Sequence, residues 1–266
     1  MNNLICPVCQ GQLHKENKSF ICEKNHCFDM AKEGYVNLLT GKHKSGSLIG
    51  DNKDMALSRR QFLQKGYFSP LQQAVSDYIS KLYNEPVICD ICCGEGYYSE
   101  QIKNAVGGEM YAFDISKEMI KLAAKRKNGI TYFVANLAHI PLKDKCTDVS
   151  LNFFAPFHEK EFSRITKDSG LIITVVAGEN HLFELKEILY DTPYKNDEAP
   201  PVTENLKIKD KIKVTSKIQL NEKEDILSLF KMPPYYYHTS DKDKQKLECK
   251  ESLEVTIDFA VYVFRN

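Results

Sequence analysis

Cys6-Pro7-Val8-Cys9 and Cys22-Glu23-Lys24-Asn25-His26 set four candidate metal ligands in two close pairs, twelve residues apart. Thiolate and imidazole donors suit tetrahedral zinc, and spacers of two or three residues let one tight turn present two ligands. The loop between the pairs is too short to bury a core, so the metal would supply its folding energy. Cys27 offers a thiolate in place of His26, and His14 lies nearby; spacing alone does not choose among them.

A second constellation is Asp90-Ile91-Cys92-Cys93-Gly94-Glu95-Gly96, with Asp114 a little over twenty residues on. Small residues let a backbone approach a ligand closely, and an acid ending the next strand can accept from both ribose hydroxyls of an adenosine. A diphosphate would need a third glycine and a clear helix start. Tyr97 and Tyr98 stand there instead. The loop therefore suits an adenosine without a phosphate linker, such as S-adenosylmethionine. Further on, Asn136 and Leu137 fall where an adenine edge would be read. Phe153-Phe154-Ala155-Pro156 forms an aromatic–proline turn able to stack a flat substrate. One of the two phenylalanines is expected in the core.

These residues need a frame. Val87–Cys92, Met110–Asp114, Ile130–Val134, Asp148–Phe154 and Gly170–Ala177 read as strands. Tyr98–Ala105, a stretch capped by Ser116 and running to about Lys127, Glu159–Thr166 and His181–Leu189 read as helices. Strand and helix alternate, which implies an α/β fold with a mostly parallel sheet covered on both faces. Ligands of such sheets bind at the carboxyl ends of the strands.

The chain has 266 residues, 42% of them hydrophobic, enough for one full domain and a small one. No apolar run of about eighteen residues is present, so no membrane span is expected. Nine cysteines without a secretory leader read as reduced thiols and ligands, which places the protein in the cytoplasm. Lys and Arg equal Asp and Glu at 36 each, which argues against a general polyanion binder. The segment from Gly41 to Gly66 is the exception, with Lys42, Lys44, Lys53, Arg59, Arg60 and Lys65 against Asp51 and Asp54. It reads either as a solvated connector or as a surface for phosphates.

Taken together, these motifs resemble the bacterial 23S rRNA guanine-N1 methyltransferases, over nearly the whole chain. The zinc pattern is similar at Cys6, Cys9, Cys22 and His26, which favours His26 over Cys27. Arg59-Arg60-Gln61-Phe62-Leu63, Gly66-Tyr67-Phe68-Ser69-Pro70-Leu71, Asp90 to Ser99, His181-Leu182-Phe183-Glu184-Leu185-Lys186 and Met232-Pro233-Pro234-Tyr235-Tyr236 resemble the family's later motifs. Cys92 departs from the pattern, standing where the family carries the first glycine of its cofactor loop.

The resemblance implies a class I, Rossmann-like methyltransferase sheet with a small N-terminal zinc-binding module. It implies structural zinc, S-adenosylmethionine, a hairpin of large-subunit ribosomal RNA as partner, and a homodimer. The division would be 1–40 for the module, 41–70 for a basic linker and 71–266 for the methyltransferase domain. Tyr67, Tyr98, Ser99 and His181 would lie around the cofactor, with Asp90, Gly94, Gly96, Asp114, Asn136 and Leu137. Arg59, Arg60, Phe154, Pro156, Tyr235 and Tyr236 are the candidate substrate contacts. His158 and His181 are the titratable groups to consider for the N1 proton, each with a simpler structural alternative. Two other readings fit the residues: a small-molecule methyltransferase with a zinc docking module, and an RNA-binding paralogue with weakened catalysis.

Overall fold

The computed structural model describes residues 3–40, 53–233, 236 and 238–266. Tyr235, Lys42 and Lys44 lie outside the described residues, as does the side chain of Lys53. Four short strands open the chain: β1 (Leu13–Glu16), β2 (Ser19–Cys22), β3 (Cys27–Asp29) and β4 (Val36–Asn37). Helices α1 (Lys53–Gln64) and α2 (Ser69–Ser80) follow. Then come β5 (Val87–Ile91), α3 (Tyr97–Val106), β6 (Glu109–Asp114), α4 (Lys117–Ala124) and β7 (Thr131–Val134). The chain continues through β8 (Thr147–Phe153), α5 (Glu159–Ile165), β9 (Thr166–Ala177) and α6 (Phe183–Leu189). It ends with β10 (Lys207–Leu220), α7 (Lys223–Phe230), α8 (Asp241–Glu248) and β11 (Leu253–Arg265).

The expected alternation is present, and Ser116 caps α4 by accepting from the Met119 N–H. The main sheet has the order β10-β11-β9-β8-β5-β6-β7-β4. Strands β4 to β9 run parallel to their neighbours, and β11 and β10 close the other end antiparallel.

The two faces of this sheet are covered differently. Ile88, Met110, Ala112, Tyr132 and Val134 point to one face, where they join residues of α1 to α4, α6, α7 and α8. Cys89, Tyr111, Phe113 and Phe133 point to the other and join Leu4, Cys6, Leu13, Phe20, Cys22, Val36 and Leu38 of the first forty residues. Between β7 and β8 the chain forms no helix at all. The N-terminal strands occupy the face that a connecting helix would otherwise cover. A parallel sheet must bury both faces, so this packing is structural. Among the described residues, α5 is the helix that contributes to that second core, through Phe162 and Ile165.

Backbone pairing fixes the junction. Leu4 bridges Leu142, and the Ile5 N–H donates to the Pro141 carbonyl at 3.0 Å. The Asn3 N–H donates to the buried Tyr111 hydroxyl at 3.0 Å, and that hydroxyl donates to Glu109. Val36 and Asn37 pair with Phe133 and Val134, so β4 is an edge strand of the larger sheet. Tyr35 and Leu38, which flank β4, are buried in the large sheet's two cores, one on each face.

The segment read as a connector contains α1, which packs against α3, α4 and α7. Ala56, Phe62 and Leu63 are its buried side. Lys65, just past its end, pairs with Glu222 and Asp225 of the α7 region at 2.7 and 2.6 Å.

The shared core generates an expectation. Leu4 is fully buried at the junction, and Leu4→Ala should cost about 2–5 kcal/mol. Thermal unfolding should remain one transition at lower temperature, with faster amide exchange in β2 and β7 together. Two separate transitions, with β7 unaffected, would show that the parts are independent.

Candidate metal centre and candidate active site

Cys6, Cys9, Cys22 and His26 bring their ligand atoms within 4.8 Å of one another. The Cys6 sulfur lies 3.5 Å from His26 Nδ1, the Cys22 sulfur 3.3 Å from the same atom, and the Cys9 and Cys22 sulfurs are 3.6 Å apart. Tetrahedral zinc with metal–sulfur bonds of about 2.3 Å and metal–nitrogen bonds of about 2.0–2.1 Å needs ligand separations of this size, so the donor set fits the metal. Two turns build it. The Gln10 N–H donates to the Cys6 carbonyl and the Asn25 N–H to the Cys22 carbonyl, both at 2.8 Å. Gln10 and Asn25 take left-handed φ of 60° and 62° to do so. Cys27 is exposed, its sulfur 4.0 Å from Asp29, and it lies outside this cluster.

At the carboxyl end of the sheet, the loop after β5 is tied to β6. The Cys93 N–H donates to the Phe113 carbonyl at 2.9 Å. The Gly94 N–H donates to Asp114 Oδ2 at 3.0 Å, and the Ser116 N–H to Asp114 Oδ1 at 2.8 Å. A carboxylate has about four acceptor positions, so Asp114 can serve this turn and still accept from a ribose. Gly96 lets α4 approach, since a Cβ there would meet Ala123 Cβ and the Tyr132 hydroxyl at 2.9 Å. Arg126 clamps the loop from the far side by pairing with buried Glu95 and with Glu100.

Asp90 is fully buried and accepts from the Ser99 hydroxyl at 2.5 Å, while its Oδ1 has no partner. Burial pushes its carboxyl pKa up to about 7, against the Ser99 hydrogen bond, with the nearby Asp114 charge adding to the rise. The Tyr98 hydroxyl is likewise buried without a partner. Two orphaned polar atoms beside a glycine turn mark a place built for a polar ligand. A cationic amino-acid end, as in S-adenosylmethionine, suits Asp90. From α1, the Arg59 guanidinium reaches over the loop, 3.7 Å from where a Cβ on Gly94 would stand. Arg60 follows it on the same helix, half-buried.

Other predicted site residues have visible structural partners. Tyr67 donates its hydroxyl to Asp225 at 2.7 Å and stacks on Phe62 with ring centroids 4.9 Å apart. Asn136 accepts the Ala138 N–H at 2.9 Å, which closes the turn after β7 next to half-buried Leu137. His158 caps α5, its Nδ1 accepting the Glu161 N–H at 3.3 Å. His181 Nδ1 accepts the Asp258 N–H at 3.2 Å. Burial holds the His181 pKa down to about 3, so the ring is neutral and a poor base. Tyr236 packs edge-on against Phe230 at 5.1 Å under Lys244. Pro156 is exposed, its carbonyl accepting from the buried Asn152 amide at 3.2 Å.

Two residues that sequence reasoning passed over hold the region after β9. Lys186 is buried and donates to the Tyr194 carbonyl and to Asn196 Oδ1 at 3.1 and 2.7 Å. Asp258 accepts from Thr215 at 2.7 Å and from Lys213 and the Asn180 N–H at 3.0 Å. The signal for Lys186 was available: a lysine at a core-facing position of an apolar helix.

This sheet order, with a glycine turn after β5 and an acid ending β6, defines a class I S-adenosylmethionine-dependent methyltransferase, here carrying a zinc module. Comparison with known proteins agrees. The family model for the RlmA N-terminal zinc ribbon matches residues 4–47, and that for a methyltransferase domain matches 88–169. The Bacillus subtilis protein YxjB, provisionally named a 23S rRNA (guanine-N1)-methyltransferase, is 30% identical over 97% of this chain and 95% of its own. A Micromonospora griseorubida protein with the same provisional name is 28% identical over 99% and 96%. The Streptomyces fradiae 23S rRNA (guanine(748)-N1)-methyltransferase is 30% identical over 70% and 67%. The chain belongs to the 23S rRNA (guanine-N1)-methyltransferase family.

Two outcomes are expected from this geometry. Cys92 takes the family's glycine position with φ of 58°. A left-handed conformation costs a side-chain-bearing residue about 1–2 kcal/mol. Cys92→Gly should therefore raise stability by up to about that amount in denaturant unfolding; a lower midpoint would show that the sulfur's packing outweighs the strain.

The second outcome concerns Asp90. Its folded pKa lies above its unfolded one, so the folded chain loses stability as pH rises from about 4 to about 7. Asp90→Asn should raise the melting temperature of the cofactor-free protein at pH 8 more than at pH 5. An equal shift at both pH values would show that Asp90 is not buried as a charge.

Proposed function

We propose that this chain transfers a methyl group from S-adenosylmethionine to N1 of one guanine in a hairpin of 23S ribosomal RNA. The observation that carries the reading is the match to named relatives over nearly the whole chain, zinc module and sheet together. The chemistry of the site agrees with it. The cofactor supplies an activated methyl on a sulfonium. The chain's own residues bind, orient and exclude water.

Asp114 takes the ribose hydroxyls, and Asn136 and Leu137 border the adenine. Gly94, Gly96 and Ser99 shape the turn, and Asp90 faces the positive methionine end. Tyr67 and His181 stand behind the site as supports, through Asp225 and Asp258. Guanine N1 must lose its proton before it attacks. His158 and His181 remain the candidates named by sequence, but their Nδ1 atoms are spent on a helix cap and on β11. The base must also leave its stack to enter the pocket, which gives Phe154, Pro156, Tyr235 and Tyr236 a place as contacts.

Arg59 and Arg60, on a helix that crosses the cofactor loop, would hold phosphates of the same hairpin. The division at 1–40, 41–70 and 71–266 remains a useful functional map, with RNA gripped by the first two parts. The reading extends to a homodimer working in the cytoplasm, both on the strength of the family. Among the described residues no helix is long and apolar enough to cross a membrane.

The direct test is methyl transfer to large-subunit RNA lacking its modifications, followed by mass mapping of the nucleotide. A product at guanine N1 is expected; a product at another atom, or on a small molecule only, would overturn the assignment. Asp114→Ala should weaken cofactor binding by about 1.5–3 kcal/mol, read by calorimetry. Unchanged affinity would place the ribose elsewhere.

A further inference from the structure

Phe154 breaks two rules at once. Along a strand, successive side chains point to opposite faces. Phe153 points into the helix-covered face, where it stacks on Tyr98 with centroids 4.3 Å apart and planes 1° from parallel. Phe154 should therefore turn toward the opposite face. Instead its φ is 56°, a left-handed value. Its ring lies on the same side as Phe153, 5.5 Å from Phe259, 6.3 Å from Tyr98 and 6.4 Å from Phe153. It is nonetheless 47% exposed.

The turn is held firmly. Its N–H donates to the Val175 carbonyl at 3.0 Å. Buried Asn152 closes the turn, donating to the Pro156 carbonyl at 3.2 Å and accepting from Thr174 at 3.0 Å. Burying the ring would explain the strain if the ring were buried, but half of it faces solvent. Strain that persists in an over-determined setting, and that exposes an apolar ring, is a mark of a functional position. The ring stands beside Tyr98, whose buried hydroxyl has no partner, at the carboxyl edge of the sheet where ligands bind.

We infer that Phe154 is the stacking platform for the target base: its left-handed backbone turns a ring face toward a purine entering beside Tyr98. This rests on the reading of the chain as a guanine methyltransferase. It adds a named positioning residue and a reason for its conformation. Asn152 is spent on the turn, so recognition at this edge is by the ring face of the base and not by that amide.

The test uses the full-length protein and three variants. Phe154→Ala should lower kcat/KM for large-subunit RNA by about ten- to hundredfold, the range for losing one base–aromatic stack. Its affinity for S-adenosylhomocysteine should not change. Phe154→Tyr should restore most of the rate, which a purely structural role would not predict. Phe154→Gly should be as inactive as Phe154→Ala but melt at a higher temperature, because glycine accepts the left-handed backbone. A separate probe is guanosine 5′-monophosphate, titrated with S-adenosylhomocysteine present into protein carrying carbon-labelled phenylalanine. The ring signal that is missing in Phe154→Ala should shift.

Full activity in Phe154→Ala, a parallel loss of S-adenosylhomocysteine affinity, or a ring signal unmoved by the nucleotide would each overturn the proposal. If the wild-type protein methylates no large-subunit RNA while the nucleotide still shifts the ring, the guanine-methyltransferase reading fails and the stacking site stands.

Discussion

A parallel sheet leaves no face to water, and the sheet here meets that demand with a metal-ligand module. The connection from β7 to β8 supplies no helix, and Leu4, Leu13, Phe20, Val36 and Leu38 fill the space against Tyr111, Phe113 and Phe133. Two of the four candidate zinc ligands, Cys6 and Cys22, are themselves members of that core. The order of the metal site and the order of the sheet are therefore not separable. The pairing of β4 with β7 also fixes the strand end from which the Asn136 turn departs.

The other organising feature is the use of left-handed backbone along the carboxyl edge. Cys92, Gly94 and Gly96 bend the loop after β5, Phe154 turns the end of β8, and Leu182 precedes α6. At Gly94 and Gly96 the conformation carries no side-chain penalty. At the other three it does, and Cys92 and Phe154 stand on the rim formed by the carboxyl ends of β5 and β8. Buried polar residues hold that rim: Asp90 with Ser99, Asn152 with Thr174, and Asp258 with Thr215 and Lys213. The helices supply bulk, and these pairs supply the geometry.

Much of this was legible in the sequence where the signal is local. Strands β5 to β9 announce themselves as apolar runs, Ser116 caps its helix, and the paired spacing of Cys6, Cys9 and Cys22 names a metal. The choice of His26 over Cys27 came from family resemblance, and the structure shows the reason: β3 carries Cys27 outward. What sequence did not reveal depends on distant partners. Nothing near Tyr67 says that its hydroxyl will meet Asp225, 158 residues on. Nothing near Leu4 says that it will bridge Leu142. The basic run from 41 to 66 reads by composition as a connector or a phosphate surface, yet most of its second half is a helix packed against α3, α4 and α7. Charge patterns report exposure on average and are silent about which side of a helix is buried.

The pairing of Val36 with Phe133 has a consequence for how the protein is made. The two residues stand 133 − 36 = 97 positions apart, while all four metal ligands fall within the first 26. Chains are synthesised at about 5–20 residues per second, so β4 leaves the ribosome roughly 5–20 seconds before its sheet partner. During that interval the hydrophobic surface of Leu4, Val36 and Leu38 has nothing to cover it. A short-range metal cross-link can form at once and keep the first strands ordered while they wait. Zinc held by these ligands would act as a timekeeper, bridging the delay between the earliest strands and the sheet they complete.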